Sequence, residues 1–199
     1  MRSSFDKLIS WTGLLLAAFL LLAGALLTWA YVFIGNEVES QLSIQGITMP
    51  EGQALESLPQ EDRDALEQYA GSPLDTGPEA KAYADHYILV HMNAASDGRT
   101  YQEVSGEYQA MSLAEKASPQ GQALAGLRET LFQGNTLRGL LLYGYAFATM
   151  GTIAGIAAIG AYIGAIILLI LSLLGMRHAR RAAAEEQTNG AQVSPPITT

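Results

Sequence analysis

Residues 139–176 read GLLLYGYAFATMGTIAGIAAIGAYIGAIILLILSLLGM, 38 positions without a charge. As one helix this block would be about 57 Å long, against roughly 30 Å of hydrocarbon in a bilayer. The length predicts a transmembrane helix over 153–175. Residues 137–152 are then a helical stalk, with Tyr143, Tyr145 and Phe147 near the outer interface. Gly151 and Gly155 are four apart, as are Gly160 and Gly164. Small residues at that spacing let two backbones approach closely. Two readings stay open: packing within one hairpin, or a seam between copies of the chain.

Toward the N-terminus, residues 8–36 (LISWTGLLLAAFLLLAGALLTWAYVFIGN) form a second uncharged block of 29. A soluble helix has no need to be apolar on every face over such a length. A first transmembrane helix is expected over 9–34, with Trp11 at one interface and Trp29 and Tyr31 at the other. Its small residues Gly13, Ala17 and Gly24 face the same packing question. The rival reading is a cleaved signal peptide: Arg2 and Lys7 supply a basic start, and Ala23-Gly24-Ala25 resembles a cleavage site. Cleavage there would leave an apolar N-terminus running through Leu26, Leu27, Val32 and Ile34, which favours the uncleaved span.

Charge sets the orientation. Arg2 and Lys7 precede the first block, and Arg177, Arg180 and Arg181 follow the second. Between them, residues 35–134 carry five basic and sixteen acidic residues, a net charge of −11. Lys and Arg concentrate on the cytoplasmic side. The expectation is a multi-pass plasma-membrane protein with residues 1–8 and 176–199 cytoplasmic and residues 35–136 outside. Arg138 lies near the outer end of the second block, where a loop carboxylate would pair with it. The fold class expected is an all-α membrane protein: a two-helix transmembrane hairpin with a mostly helical, acidic extracytoplasmic domain. The cytoplasmic segments are too short for a signalling output domain.

Composition excludes some chemistry. A formal net charge of −8 speaks against nucleic acid as a partner, since phosphates call for a basic patch. With no cysteine there are no disulfides, thiolate metal sites or cysteine nucleophiles. Neither span shows the ionisable stripe of a pore.

Within the loop, Thr76-Gly77-Pro78-Glu79 matches a capping box with proline in the first turn. A helix should follow to about Met92, with Ala80, Tyr83, Tyr87 and Val90 on its apolar face. Asp97-Gly98 signals a turn. Thr100-Tyr101-Gln102-Glu103 is a second box, leading into Tyr101, Val104, Tyr108 and Met111. A third helix begins after Pro119 and carries Leu124, Leu127, Leu131 and Phe132. An interruption is expected at Gly134-Asn135. Residues 61–69 read as a weaker helix, 37–50 as extended chain, and the tail from Ala182 as disordered.

For chemistry, His86 and His91 are the candidates, with Asp85 beside the first. One helix binds a metal best through histidines at i and i+4. These two are five apart, about 140° around an α-helix, and would need a carboxylate such as Glu103 or Glu107. No metal or cofactor site is therefore expected. Glu61, Asp62, Asp64 and Glu67 form an acidic cluster that lacks the spacing of a calcium loop. Tyrosines 69, 83, 87, 101, 108, 143 and 145 suit a core or an interface. No nucleophile elbow, phosphate loop or HExxH motif occurs, so no catalytic residue is assigned and the chain is not read as an enzyme.

Taken together, residues 82–86 (AYADH), 100–105 (TYQEVS) and 131–142 (LFQGNTLRGLLL) resemble a family of small two-span actinobacterial membrane proteins of unknown function. The resemblance covers both spans and most of the loop, and is most specific from 131 to about 150. It implies a Gram-positive plasma membrane and an exposed envelope domain. Members are sometimes labelled aromatic ring-opening dioxygenases, which implies iron held by two histidines and a carboxylate.

The reading favoured by sequence is a structural or interaction component of the cell envelope. Its partners would be the lipid bilayer and either a second copy or another envelope protein. An extracytoplasmic ligand-binding sensor or transport accessory is the alternative, and a metal-dependent enzyme the third.

Overall fold

The computed structural model describes residues 2–192, with side chains described for 5–182 and 184. Its elements are α1 (Arg2–Ser43), α2 (Gln53–Glu56), α3 (Gln60–Leu66), a 3₁₀ turn (Glu67–Tyr69), α4 (Gly77–Tyr83), a π turn (Ala84–Ile88), α5 (Leu89–Ser96), α6 (Tyr101–Ala110), α7 (Leu113–Ala117) and α8 (Pro119–Gln192). Among the described residues the only strand-like pairing is a bridge between Thr48 and Pro73. Two helices, within Phe5–Ser43 and Pro119–Ala182, are long and apolar enough to cross a membrane. The chain divides into two compact units: residues 1–32 with 152–199, and residues 33–151.

In the first unit α1 and α8 pair antiparallel through small residues. A Cβ on Gly13 would overlap Ser172 Oγ, and one on Gly175 would overlap Ser10 Oγ. Farther along, Gly24 of α1 lies against the Tyr162 ring, and Gly155 of α8 against the Tyr31 ring. The contacts are reciprocal: each helix offers a glycine where the other offers a serine or a tyrosine. On α8 the buried positions recur every seven residues, at Gly151, Ala158, Ala165, Ser172 and Ala179. On α1 they are Ser10, Ala17 and Gly24. A seven-residue period of contact residues imposes a left-handed supercoil, and small side chains bring the backbones close. The large apolar residues, such as Phe19, Leu22, Ile156, Ile163 and Ile167, point away from the seam and are exposed.

The four-residue glycine spacing is therefore not the organising unit. Gly155 and Gly164 face α1, Gly164 against Leu20. Gly151 is buried, whereas Gly160 is exposed with nothing within 4 Å. The reason is geometric: a four-residue step advances about 400° and drifts off a contact line that a seven-residue step follows.

The second unit is a helical domain around Met49, Leu66, Leu74, Val104, Leu131 and Leu141, all essentially solvent-free. α1 persists to Ser43, so residues 37–43 are helical rather than extended. Val38 and Leu42, four apart, face the core and reward the helical conformation. The chain leaves the helix at Ile44. Met49 N–H donates to Ser72 O (2.8 Å) and Leu74 N–H to Ile47 O (2.9 Å), seating Met49 and Leu74 in the core.

Three capping boxes start helices here: Thr76/Glu79, Thr100/Glu103 and Ser112/Glu115. α5 ends at Asp97 and Gly98, both left-handed at φ 52° and 76°, where glycine carries no steric penalty. α8 runs through Gly134-Asn135 without a break. Gly134 is a notch for the Met92 side chain, and buried contact outweighs the weak helix propensity of the pair. The helix also continues past Ala182 to Gln192, in place of the disorder expected there. Ala182–Ala184 and Glu185–Gln187 are strong helix formers. Positions 193–199 of that tail lie outside the described residues.

Candidate functional site

The densest polar constellation sits where α3, α4, the π turn and α8 meet. A π turn inserts one residue into a helix and commonly marks a functional position. Here it carries Asp85 and His86. The Asp85 carboxylate accepts from Lys81 Nζ (2.5 Å) and from Arg138 Nη2 (2.7 Å), joining α4 to α8. This supplies the loop carboxylate expected for Arg138. Burial pushes the Asp85 carboxyl up, but the hydrogen bonds and charges of Lys81 and Arg138 outweigh it and hold it below the ordinary carboxylate range. Lys81 also lies 5.6 Å from the centre of the Tyr145 ring.

His86 turns the other way. Its Nδ1 is 2.9 Å from Asp62 Oδ1 of α3. His91 Nδ1 is 2.7 Å from the Tyr87 carbonyl, and its ring packs 4.4 Å from that of Tyr87. The π turn removes the premise of an ordinary 100° step between these histidines, yet their ring nitrogens still take separate partners. Among the described residues no three His, Asp or Glu side chains converge as a metal site. Glu103 is occupied as a cap, accepting from Thr100 N and Oγ1, and Glu107 accepts from Arg99 Nη1 (3.0 Å). These residues do not fit a two-histidine, one-carboxylate iron centre. Of the acidic cluster, Asp62 meets His86, Asp64 accepts from Gln60 (2.6 Å), and Arg63 donates to Gln60 (2.9 Å).

A second polar centre surrounds Glu79, which is 8% exposed. Its carboxylate accepts from Thr76 N (2.9 Å), Thr76 Oγ1 (2.7 Å), Asp75 N (3.1 Å) and Ser72 Oγ (3.2 Å). Burial alone would raise its pKa, but these four donors bring it below the ordinary value. Asp75 is pushed up, by desolvation first and then by the neighbouring Glu79 charge. The capping box was legible in sequence; the extra donors from Ser72 and Asp75 lie outside the box and were not.

What these centres do chemically is tie elements together. Within the domain all six basic side chains have partners: Lys81 and Arg138 on Asp85, Arg99 on Glu107, Arg63 on Gln60, and Lys116 and Arg128 over the Tyr108 ring. An apolar stripe runs along α8 on the surface of the same unit: Leu140, Tyr143, Phe147 and Met150, each more than half exposed, with exposed Phe132 set apart from it beyond exposed Gln133 and Thr136. Comparison of the chain with protein-family models, curated proteins and solved structures finds no match.

Proposed function

We propose that this chain is a two-span plasma-membrane protein with both termini in the cytoplasm, and that its helical domain works outside as an interaction component of the cell envelope. The role proposed is not enzymatic. The observation that carries the reading is the stripe from Leu140 to Met150. Leu42 packs on Gly144, and the antiparallel register puts the exposed Glu37 and Glu39 level with residues 147–150. The hydrocarbon boundary then lies near that level, because carboxylates avoid it. The stripe is about 15 Å long at 1.5 Å per residue, whereas the headgroup layer is only about 6 Å deep. Most of it thus rises beyond lipid, where contiguous exposed apolar surface marks a protein contact.

The partner is another envelope protein rather than a second copy. A loop carrying −11 repels its own kind, so the complement is an apolar face rimmed by Lys and Arg. The distribution of basic residues supports the orientation, and the resemblance to two-span actinobacterial membrane proteins agrees with it.

Two experiments test this. The chain has no cysteine, so Asp97→Cys and Ser3→Cys report topology through an impermeant maleimide on intact cells. Labelling at 97 alone is expected; labelling at 3 overturns the orientation. Photo-crosslinking residues placed at Tyr143 and Phe147, with the exposed Asn135, about 80° to 120° around the helix from them, as control, report the contact. The reading requires a heteromeric adduct at 143 and 147 that Leu140→Ser weakens. A product of two copies of the chain, or equal adducts at 135, overturns it.

A further inference from the structure

The basic side chains of the chain fall into two populations. The six in the domain are each engaged internally, as described above. Lys7, Arg177, Arg180 and Arg181, beyond the apolar runs of α1 and α8, pair with no carboxylate among the described residues and are exposed. Arg177 and Arg180 are three apart, hence neighbours on one helix face. They rim a groove whose other walls are Leu173, Leu174 and Met176. Two unpaired guanidiniums beside an apolar floor match a phosphate that carries an acyl chain. A guanidinium binds phosphate through two parallel N–H donors, and the floor covers the first carbons of the chain.

We propose that Arg177 and Arg180 form a binding site for the headgroup phosphate of an anionic phospholipid at the end of the hairpin where Ser10 meets Gly175. The adjoining groove holds Asp6, Ser10, Ser172 and His178. Its carboxylate repels a second anion, which confines the phosphate to the arginine side. The occupant is a lipid rather than a free anion because the floor is apolar and lies next to the membrane-crossing stretch. The site rests on the spanning reading above and adds to it a preference among lipids.

The test uses the full chain in bilayers of phosphatidylcholine containing increasing brominated phosphatidylglycerol. Trp11 lies at the same end of the hairpin. Trp29→Phe leaves it as the single tryptophan, because the chain has only two, and its quenching reads the local lipid. Wild type is expected to favour phosphatidylglycerol over phosphatidylcholine. Arg177→Gln with Arg180→Gln should lower that preference by at least about tenfold, since two charge-assisted guanidinium–phosphate contacts are lost. Lys7→Gln should change it far less. Equal quenching by both lipids in wild type, or an unchanged preference in the double variant, overturns the site. Competition by millimolar inorganic phosphate overturns the lipid as its occupant. Release of the protein from vesicles by alkaline carbonate would instead sink the spanning reading, which separates the two failures.

Discussion

The Tyr162 hydroxyl lies 3.1 Å from the Thr28 hydroxyl, a polar contact between two otherwise apolar helices. Thr28 Oγ1 already donates to the Gly24 carbonyl at 2.8 Å, so the tyrosine is the donor of the pair. One residue on α8 thereby covers Gly24 with its ring and meets the turn above it with its oxygen.

The ring and the oxygen should be separable. Tyr162→Phe removes only an interhelical hydrogen bond, worth about 0.6 kcal/mol in a membrane. Gly24→Leu displaces the ring and should split this part of the pair. Disulfide formation between Ser10→Cys and Gly175→Cys in the reconstituted protein measures pairing: nearly unchanged yield is expected with Tyr162→Phe, and a clear loss with Gly24→Leu. Gly160→Leu, on open surface, should leave the yield intact.

Glu79 caps α4 and gathers donors from Ser72 and Asp75. Glu79→Gln turns one acceptor oxygen into a donor facing other donors, and should cost about 1–2 kcal/mol in urea unfolding of the full chain in detergent. The same carboxylate predicts a pH limb. Its folded pKa, like that of Asp85, is depressed. The stability it contributes is complete above the unfolded pKa, about 4.3 for Glu and 3.9 for Asp, and is lost as pH falls through the folded values. Asp75, with a raised pKa, works in the opposite sense and blunts the limb. Midpoints should fall on acidification below about pH 5, and Glu79→Gln should flatten that fall.

Asp85→Asn keeps the shape but removes the charge shared by Lys81 and Arg138. Two cations would then face a neutral amide, and Arg138 Nε is already buried without a partner. A loss of about 1–3 kcal/mol is expected. Asp85→Asn in an Arg138→Met background should cost less than in wild type, and a double-mutant cycle reads the coupling.

Gly121 and Gly126 lie in the same helix and should respond oppositely to alanine. A Cβ at 121 would strike the backbone of Glu115 and Lys116, whereas nothing lies within 4 Å of one at 126. Gly121→Ala should lower the unfolding midpoint. Gly126→Ala should raise it, by up to about 1 kcal/mol of helix propensity.

Local signals carried far in this sequence. The boxes at Thr76, Thr100 and Ser112 and the Asp97-Gly98 turn act through neighbours within four residues, so the residues state them directly. Features that depended on distant partners were not legible. Gly134 looks like a breaker until Met92 is placed against it. The seam on α8 is visible as a seven-residue recurrence only once Ser10, Ala17 and Gly24 are known to face it. The π turn leaves no mark in the residue types of Ala84–Ile88, and with it went the geometry that decided how His86 and His91 relate.

The seven-residue seam has a mechanical consequence. Sliding α1 along α8 by one or two residues would drive bulky side chains such as Leu20 and Tyr162 into positions that only glycine, alanine or serine fits. The next register that restores the match is a full period away, about 10 Å along the axis. The pair therefore behaves as a ratchet with widely spaced teeth. It resists the ångström-scale piston strokes by which some receptors pass a signal across a membrane, and suits a fixed mount.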